Sequence, residues 1–322
     1  MRFIAACFFL LSLSFGPLHA ATKPSTTSKK PTPAPKTAVV KKPASPANAP
    51  STRPSSAAKP ETPGVFRPFE ETDPSVFPGS SADVVVVCDA ETGRVLYERN
   101  GYEARAVAST QKLLTALIVA EDGDLYSTVT AEAEDGRCEP TKLGLKGGER
   151  YRRYDLLRVL LVKSMNDVAR CLARDNAGSI PAFARKMNAK ARELGMRNSN
   201  FVNPNGLTEP GQFSTGHDMA RLALHAYRNR VLRGIMATRQ MTFTSAAGKV
   251  TVFDNSNKLM KYFGLCNGMK TGYTEAAGHC LISSATDGGR HVICVMLGVR
   301  KRDLLWTDSH RLLSWGLYQL KQ

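Results

Sequence analysis

Three short polar motifs follow one another in a fixed order along this 322-residue chain, and each stands next to an apolar run. They are Ser109-Thr110-Gln111-Lys112, Ser164-Met165-Asn166 and Lys270-Thr271-Gly272. Taken singly, each has an ordinary structural explanation: a core helix with an exposed lysine, a helix cap, or a basic turn. In combination they constrain the fold far more, because three separate segments with complementary polar groups are typical of one shared site.

The first motif opens an apolar run that extends to Ala120. Its leucine and isoleucine residues repeat at the spacing of a buried helix, which places Ser109 and Lys112 on one helical face. A serine hydroxyl is a poor nucleophile near pH 7, and a lysine can accept its proton only where burial and neighbouring charge favour the neutral amine. The apolar remainder of the helix provides that burial. We therefore predict Ser109 as nucleophile and Lys112 as its base.

The second motif follows the apolar residues 156–162, where a short connection between helices lets Ser164 and Asn166 face one cleft. We predict that Ser164 relays a proton to the leaving group and that Asn166 holds a substrate amide.

The third motif precedes the strand-like run 280–284, and its flanks indicate a sheet edge. There Lys270 and Thr271 suit a substrate carboxylate, and Gly272 leaves room for a peptide along the strand. The backbone amides of Ser109 and Tyr273 are the natural oxyanion donors if the sheet brings them together.

The match to one known family extends well beyond the motifs. The chain resembles the serine D-alanyl-D-alanine carboxypeptidases of the low-molecular-mass penicillin-binding protein family over most of residues 80–320. The supporting stretches are residues 147–151, 187–196, 201–207, 214–220, 255–259 and 268–281.

The resemblance implies an α/β (α+β) fold of the β-lactamase/transpeptidase type. Its antiparallel sheet is flanked by helices, and the active site lies between this sheet and an all-helical lobe. It also implies that a peptidoglycan stem peptide ending in D-Ala-D-Ala acylates Ser109 and loses its last D-alanine, after which water frees the enzyme. β-Lactam antibiotics are implied as inhibitors that stall at the acyl stage. Ser164, Asn166 and Lys270 complete the implied hydrogen-bond network.

Relatives often carry an arginine after the penultimate strand that grips the substrate carboxylate. Here the corresponding segment, residues 298–303, is short and contains both Arg300 and Arg302. The sequence does not choose between them.

The N-terminal part of the chain differs in composition from the rest. Residues 1–20 have the pattern of a secretory signal peptide, cleaved near Ala20, which predicts export to the periplasm or cell envelope. Residues 21–78 are predicted to be a disordered, basic Pro/Ala/Lys-rich linker, since residues 21–68 hold 11 of the 18 prolines and nine Lys and Arg against one Glu. Residues 79–322 form the predicted catalytic domain.

A solvated linker is the favoured interpretation of this basic segment, and contact with an anionic envelope surface is the alternative. Nucleic acid is a poor candidate partner, because no aromatic residue is interleaved with the lysines before Phe66, and no nucleic-acid binding is predicted.

Periodicity predicts strands over residues 82–89, 94–97 and 291–296, helices between 154 and 195, and a final helix over 304–320. Six cysteines follow the signal peptide. They allow 15 disulfide pairings, and buried free thiols are favoured for most of them. The histidines lack metal-ligand spacing, so no metal and no cofactor are predicted.

Three alternatives to a carboxypeptidase remain. An endopeptidase or transpeptidase shares the acylation step and differs only in the acceptor. A serine β-lactamase shares the three motifs, and its commonest class adds a glutamate that activates water; Glu193 with Asn198 is the nearest match, at a different spacing. A catalytically silent wall-binding protein is the third.

Overall fold

A five-stranded antiparallel sheet is the largest β element of the computed structural model, which describes residues 73–322. Its spatial order is β2-β1-β9-β8-β7, and β3–β4 and β5–β6 form separate two-stranded sheets. The strands are β1 Val84–Asp89, β2 Val95–Arg99, β3 Thr128–Thr130, β4 Arg150–Arg152, β5 Gln240–Thr244, β6 Val250–Asp254, β7 Cys266–Thr274, β8 Gly278–Asp287 and β9 Arg290–Val299.

Eight α-helices accompany these strands in the described part of the chain. They are α1 Lys112–Glu121, α2 Arg153–Lys163, α3 Asn166–Ala177, α4 Ile180–Glu193, α5 Gly216–Arg228, α6 Arg230–Met236, α7 Leu259–Tyr262 and α8 Arg302–Gln319.

The main sheet is covered on both faces. Helix α5 contacts β1 and β9 on one side, and α8 contacts β1, β8 and β9 on the other. Along β1, Val84 and Val86 belong to one hydrophobic cluster, whereas Val85 and Val87 belong to a second cluster with Trp315. Alternate residues of a strand point to opposite faces, so a strand buried on both sides has a continuous apolar sequence. This explains the uninterrupted valine run of β1.

Helix α1 lies at the centre of the helical lobe, where α2, α3, α4, α5 and α6 all contact it. Its residues from Lys112 to Val119 are all buried. A helix surrounded in this way is apolar on every side, and a charged residue within it is unusual. A 3-10 turn, Ala108–Gln111, precedes α1 and contacts β7. Ser109 therefore lies in this turn, not in the regular helix expected for it, at the junction of lobe and sheet.

The predicted fold class is confirmed: helices flank an antiparallel sheet, and a helical lobe stands against it. The strands and helices expected at both ends of the domain are present, and the expected edge strand is β7, which itself carries the Lys270 motif. The predicted signal peptide and nearly all of the predicted linker lie outside the described residues. Between residues 73 and 322, no helix has the length and apolar character needed to cross a bilayer.

All six cysteines after Cys7 are free thiols. Cys88 and Cys294 lie on neighbouring strands, but their side chains enter different hydrophobic clusters on opposite faces of the sheet. The interpretation as buried free thiols therefore holds for this pair, because the sheet separates the two sulfurs.

Candidate active site

The side chains of Ser109 and Lys112 are in direct contact, as the first motif predicts. The Nζ atom of Lys112 lies 2.7 Å from Oγ of Ser109. It also lies 2.8 Å from Oδ1 of Asn166 and 2.6 Å from the carbonyl oxygen of Asn205. Ser109 Oγ is itself 3.2 Å from the same Asn205 carbonyl. The first two motifs thus meet at the lysine amine.

The three oxygens around Nζ of Lys112 can all accept from a protonated amine, and they can also surround a neutral amine. Such an amine has two N–H donors and one lone pair. The oxygens of Asn166 and Asn205 can only accept, because the Asn166 amide nitrogen donates elsewhere, to the carbonyls of Glu139 and Pro140. In the neutral form the two donors serve these two acceptors, and the lone pair can accept the hydroxyl proton once Ser109 turns it from the Asn205 carbonyl towards Nζ.

The surroundings of Lys112 also favour its neutral form. Burial holds the pKa of Lys112 well below its usual value, and the nearby charge of Lys270 lowers it further. Burial likewise lowers the pKa of Lys270 to about 7. The Nζ atom of Lys270 donates to the carbonyl of Thr271 at 2.8 Å. The site therefore holds two buried lysines, both of which lose their protons more readily than an exposed lysine.

Ser164 and Asn166 reach the site because the chain reverses sharply between α2 and α3. Ser164 ends α2 with φ +70°, in the left-handed region, and Asn166 begins α3. Asp167, the next residue, is buried and accepts the backbone N–H groups of Leu143, Gly144 and Leu145. These bonds hold the loop after residue 138 against α3.

Strand β7 lies so close to the nucleophile turn that only glycine fits at position 272. A Cβ atom on Gly272 would lie 2.9 Å from the Ser109 nitrogen and 3.0 Å from both the Ala108 Cβ and the Thr110 nitrogen. No side chain fits there without displacing the nucleophile turn. The hydroxyl of Thr271, one residue earlier, donates to Oγ of Ser256 at 2.9 Å.

A segment that the motif analysis did not assign to the site lies against the other side of this turn. Beyond the Asn205 carbonyl, it contributes Gly206, whose φ is +83° and where a Cβ would overlap the Ala108 carbonyl. Thr115 donates to the Pro204 carbonyl at 2.7 Å, and Gln111 donates to the Asn203 carbonyl at 2.6 Å. The sequence Asn203–Gly206 is typical of a tight turn, but it does not indicate that this turn packs against the nucleophile.

The three motifs line one open cavity of about 670 Å³. Ser109, Ser164, Asn166, Thr271, Gly272 and Tyr273 all line it. Of the two candidate arginines, Arg302 lines this cavity and Arg300 is absent from its lining. The ring of Tyr273 stacks on that of His279 at 4.5 Å, and burial followed by the charge of Arg302 lowers the pKa of His279. Trp306 contributes an apolar wall.

This fold and these contacts define a class of protein, a serine hydrolase whose nucleophile contacts a lysine instead of a histidine. A family profile described as D-alanyl-D-alanine carboxypeptidase matches residues 71–301. The chain belongs to this family, and it is a serine-type peptidase.

Curated relatives agree with that assignment. The carboxypeptidase DacB2 of Mycobacterium tuberculosis is 36% identical over 244 residues, 74% of this chain and 83% of that protein. The carboxypeptidase DacF of Bacillus subtilis is 32% identical over 222 residues, 67% of this chain and 57% of that longer protein. A D-alanyl-D-alanine endopeptidase of Pseudomonas aeruginosa is 32% identical over 235 residues, 71% of this chain and 75% of that protein.

Solved structures give the same result. A D-alanyl-D-alanine carboxypeptidase of Mycobacterium tuberculosis H37Rv superimposes with a TM-score of 0.71 at 34% identity, over 75% of this chain and 92% of that chain. The Streptomyces K15 DD-transpeptidase superimposes with a TM-score of 0.71 at 25% identity, over 76% of this chain and 99% of that chain. Carboxypeptidases, endopeptidases and transpeptidases are thus all among its relatives.

Proposed function

We propose that the chain is an exported serine carboxypeptidase that removes the terminal D-alanine from peptidoglycan stem peptides through an acyl-enzyme on Ser109. The observation that carries the proposal is the contact between the buried Lys112 amine and the Ser109 hydroxyl. Burial favours the neutral amine, and only a neutral amine can take a proton from serine.

Acylation begins when Ser109 Oγ attacks the carbonyl carbon of the penultimate D-alanine and its proton passes to Nζ of Lys112. The oxyanion forms within reach of the backbone amides of Ser109 and Tyr273, which are its donors in this proposal. The close approach of Gly272 to the Ser109 nitrogen supports this pairing.

The C–N bond then breaks, the serine ester remains, and free D-alanine leaves with the proton that Ser164 relays from the lysine. Asn166 aligns the substrate amide while it holds Lys112 through Oδ1. Water attacks the ester in the second half of the reaction, again with Lys112 as base.

The substrate's terminal carboxylate is bound by the positive charge and hydroxyl at the β7 end of the cavity. Thr271 and Arg302 line the cavity and are proposed for direct contact, whereas Lys270 is buried behind the lining and is proposed to act through its charge. The presence of Arg302 in the cavity lining supports it over Arg300. Penicillins, whose carboxylate and amide occupy corresponding positions, are proposed inhibitors.

Export is proposed from the signal-like sequence of residues 1–20, and the basic segment after it is proposed as a tether within the envelope. No cofactor takes part in the proposed mechanism.

The test is the release of free D-alanine from a pentapeptide ending in D-Ala-D-Ala, with Ser109→Ala and a penicillin block as controls. Release that disappears in both controls supports the proposal. Covalent labelling by penicillin without D-alanine release favours the endopeptidase or transpeptidase alternative. Absence of both labelling and release favours a silent wall-binding protein.

The position of Glu193 argues against the β-lactamase alternative, which needs a glutamate near the nucleophile. Lys190 bridges Glu121 at 2.6 Å and Glu193 at 2.7 Å. Glu121 is the last residue of α1 and Lys112 the first. At 1.5 Å per residue, they are about 14 Å apart along the axis. Glu193 thus lies at the far end of α1 from the nucleophile, so we expect Glu193→Gln to leave the rate of deacylation unchanged.

A further inference from the structure

A second depression lies beside the active-site cavity, and we call it the basic trough. It consists of two adjoining cavities of about 410 and 300 Å³ between the loop that follows residue 141, strand β4 with the start of α2, and the β5–β6 hairpin. The two cavities share Tyr151, Phe243 and Ser245 in their linings. The two cavities therefore adjoin at these three residues.

The walls of the trough carry excess positive charge. Six cationic side chains and two carboxylates line its two cavities. The cations are Lys142, Lys146 and Lys249 in the larger cavity and Arg150, Arg152 and Arg158 in the smaller one.

Both carboxylates of the trough already have partners. Glu149 accepts the backbone N–H of Lys146 at 2.9 Å and the hydroxyl of Tyr151 at 3.0 Å. Asp155 accepts Nε of Arg152 at 2.7 Å. By contrast, among the ion pairs within residues 73–322, none involves Lys146 or Lys249. These exposed amines are available to an anionic ligand.

The floor between the charged walls is aromatic. The rings of Tyr151 and Phe243 lie 5.6 Å apart, and those of Phe243 and Phe253 lie 6.3 Å apart. Apolar floor and cationic walls together suit an extended peptide that carries several carboxylates and small apolar side chains.

Two thin stretches of chain separate the trough from the active site. Ser164 and Asn166 line the active-site cavity, whereas Met165 between them lines the trough. Likewise Thr141 lines the active-site cavity and Lys142 lines the trough. The Asn166 N–H donates to the Thr141 carbonyl at 2.8 Å and joins the two stretches. The two depressions therefore share a wall one or two residues thick, and a branched substrate that occupies both must cross the rim of this wall.

We propose that the basic trough binds an acidic peptide strand joined to the peptide that occupies the active site, namely a second strand of the same wall polymer. The inference rests on the proposed function for the identity of that polymer. The chain's own N-terminal segment is a poor occupant, because residues 21–68 carry nine basic residues against one acidic residue and would be repelled by the trough.

The binding arm of the test uses the full chain and a fluorescently labelled peptide, Glu-Ala-Glu-Ala-Glu, capped at both ends, with its glutamine counterpart as a neutral probe. We expect the acidic peptide to bind at low salt and the neutral probe to bind at least fivefold more weakly. The double variant Lys146→Gln/Lys249→Gln should lower the affinity for the acidic peptide at least fivefold. The matched control is Lys186→Gln/Lys190→Gln on α4, outside the linings of both the trough and the active-site cavity.

Equal binding of the two peptides, or an equal effect of the trough and control variants, would overturn the proposal. A further variant, Lys163→Gln/Lys258→Gln, removes two cations from the active-site cavity instead. Loss of acidic-peptide binding in that variant alone would place the peptide in the active site and also overturn it. Polyphosphate is a further probe. If it binds as tightly as the acidic peptide and loses as much affinity in Lys146→Gln/Lys249→Gln, the trough is a general polyanion site and the peptide assignment is overturned.

The catalytic arm compares D-alanine release from a short free pentapeptide with release from a cross-linked dimer of stem peptides. We expect the dimer-to-monomer ratio of kcat/KM to fall at least fivefold in Lys146→Gln/Lys249→Gln and to stay constant in the α4 control. A constant ratio in both would overturn the role in substrate binding. Absence of release from either substrate would overturn the proposed function, and the binding arm would still decide whether the trough binds an acidic peptide.

Discussion

The buried amine of Lys112 lies 2.7 Å from the Ser109 hydroxyl oxygen, at the junction of the helical lobe and the sheet. Two carbonyl-type oxygens can occupy both donors of the neutral amine, whose lone pair is then free to accept the serine proton. Most of the chemistry proposed for this protein depends on that one contact.

Replacing the amine should therefore abolish acylation. We expect Lys112→Met to lower kcat/KM for D-alanine release by about 10²- to 10⁴-fold, the range found for removal of a general base. Initial rates on a D-Ala-D-Ala pentapeptide provide the measurement, and a thermal melt shows that the variant is folded. Lys186→Met, on the surface of α4, is the matched control. A variant that keeps a tenth or more of the activity would exclude Lys112 as the base.

Gly272→Ala should displace the nucleophile without touching a catalytic side chain. The added Cβ would lie 2.9 Å from the Ser109 nitrogen, closer than such contacts occur, so the turn must move. We expect kcat to fall about 10- to 100-fold, since small displacements of reacting groups have effects of this size. Gly264→Ala is the control, because a Cβ there meets no atom within 4 Å. Equal activity of the two variants would contradict this account.

The pH dependence of KM should report on Lys270. Burial lowers its pKa to about 7, so its positive charge is present below this pH and lost above it. We expect KM for a peptide with a free terminal carboxylate to rise severalfold between pH 6 and 8.5, and KM for the amidated peptide to stay flat. Parallel KM profiles for the two peptides would show that Lys270 does not bind the carboxylate as a cation.

The same lysine should destabilise the fold. Its pKa falls from 10.5 in an unfolded chain to about 7 in the folded protein, so between these pH values the unfolded chain binds more protons. The free energy of unfolding therefore increases from pH 7 to 10.5 as the unfolded chain loses this proton. Below pH 7 the destabilisation by buried Lys270 is at its maximum. We expect Lys270→Met to raise that free energy by ~2 kcal/mol at pH 7, with a weaker pH dependence. Denaturant titrations at several pH values test it, and a less stable variant would refute it.

Separate substitution of Arg300 and of Arg302, the first residue of α8, should distinguish their roles. Both side chains are exposed, but Arg302 lines the active-site cavity and Arg300 does not. We expect Arg302→Gln to raise KM for the carboxylate-bearing peptide about tenfold, and Arg300→Gln to change it less than twofold. Steady-state kinetics on free-acid and amidated peptides provide the comparison. The reverse order of effects would transfer the proposed role to Arg300.

Part of the secondary structure and the motif residues could be predicted, because both depend on the order of neighbouring residues. The valine run of β1 and the helical spacing after Ser109 are visible in the sequence, and the site side chains are of types that carry chemistry. The Asn203–Gly206 turn was not assigned to the site. It provides only the backbone carbonyl of Asn205 and, at Gly206, a position that must lack a side chain. Neither property distinguishes these residues from those of any other loop.

By itself the sequence determined the strands β1, β2, β8 and β9, the helices α1–α4 and α8, the three motifs and the family, because each of these is encoded in neighbouring residues. Only the tertiary structure decided that Asn205 shares the lysine amine, that Arg302 lines the cavity, and that Glu193 lies at the far end of α1. These relationships join residues distant in the chain. They also depend on burial, which sets the proton affinities of Lys112 and Lys270 and which no local pattern specifies.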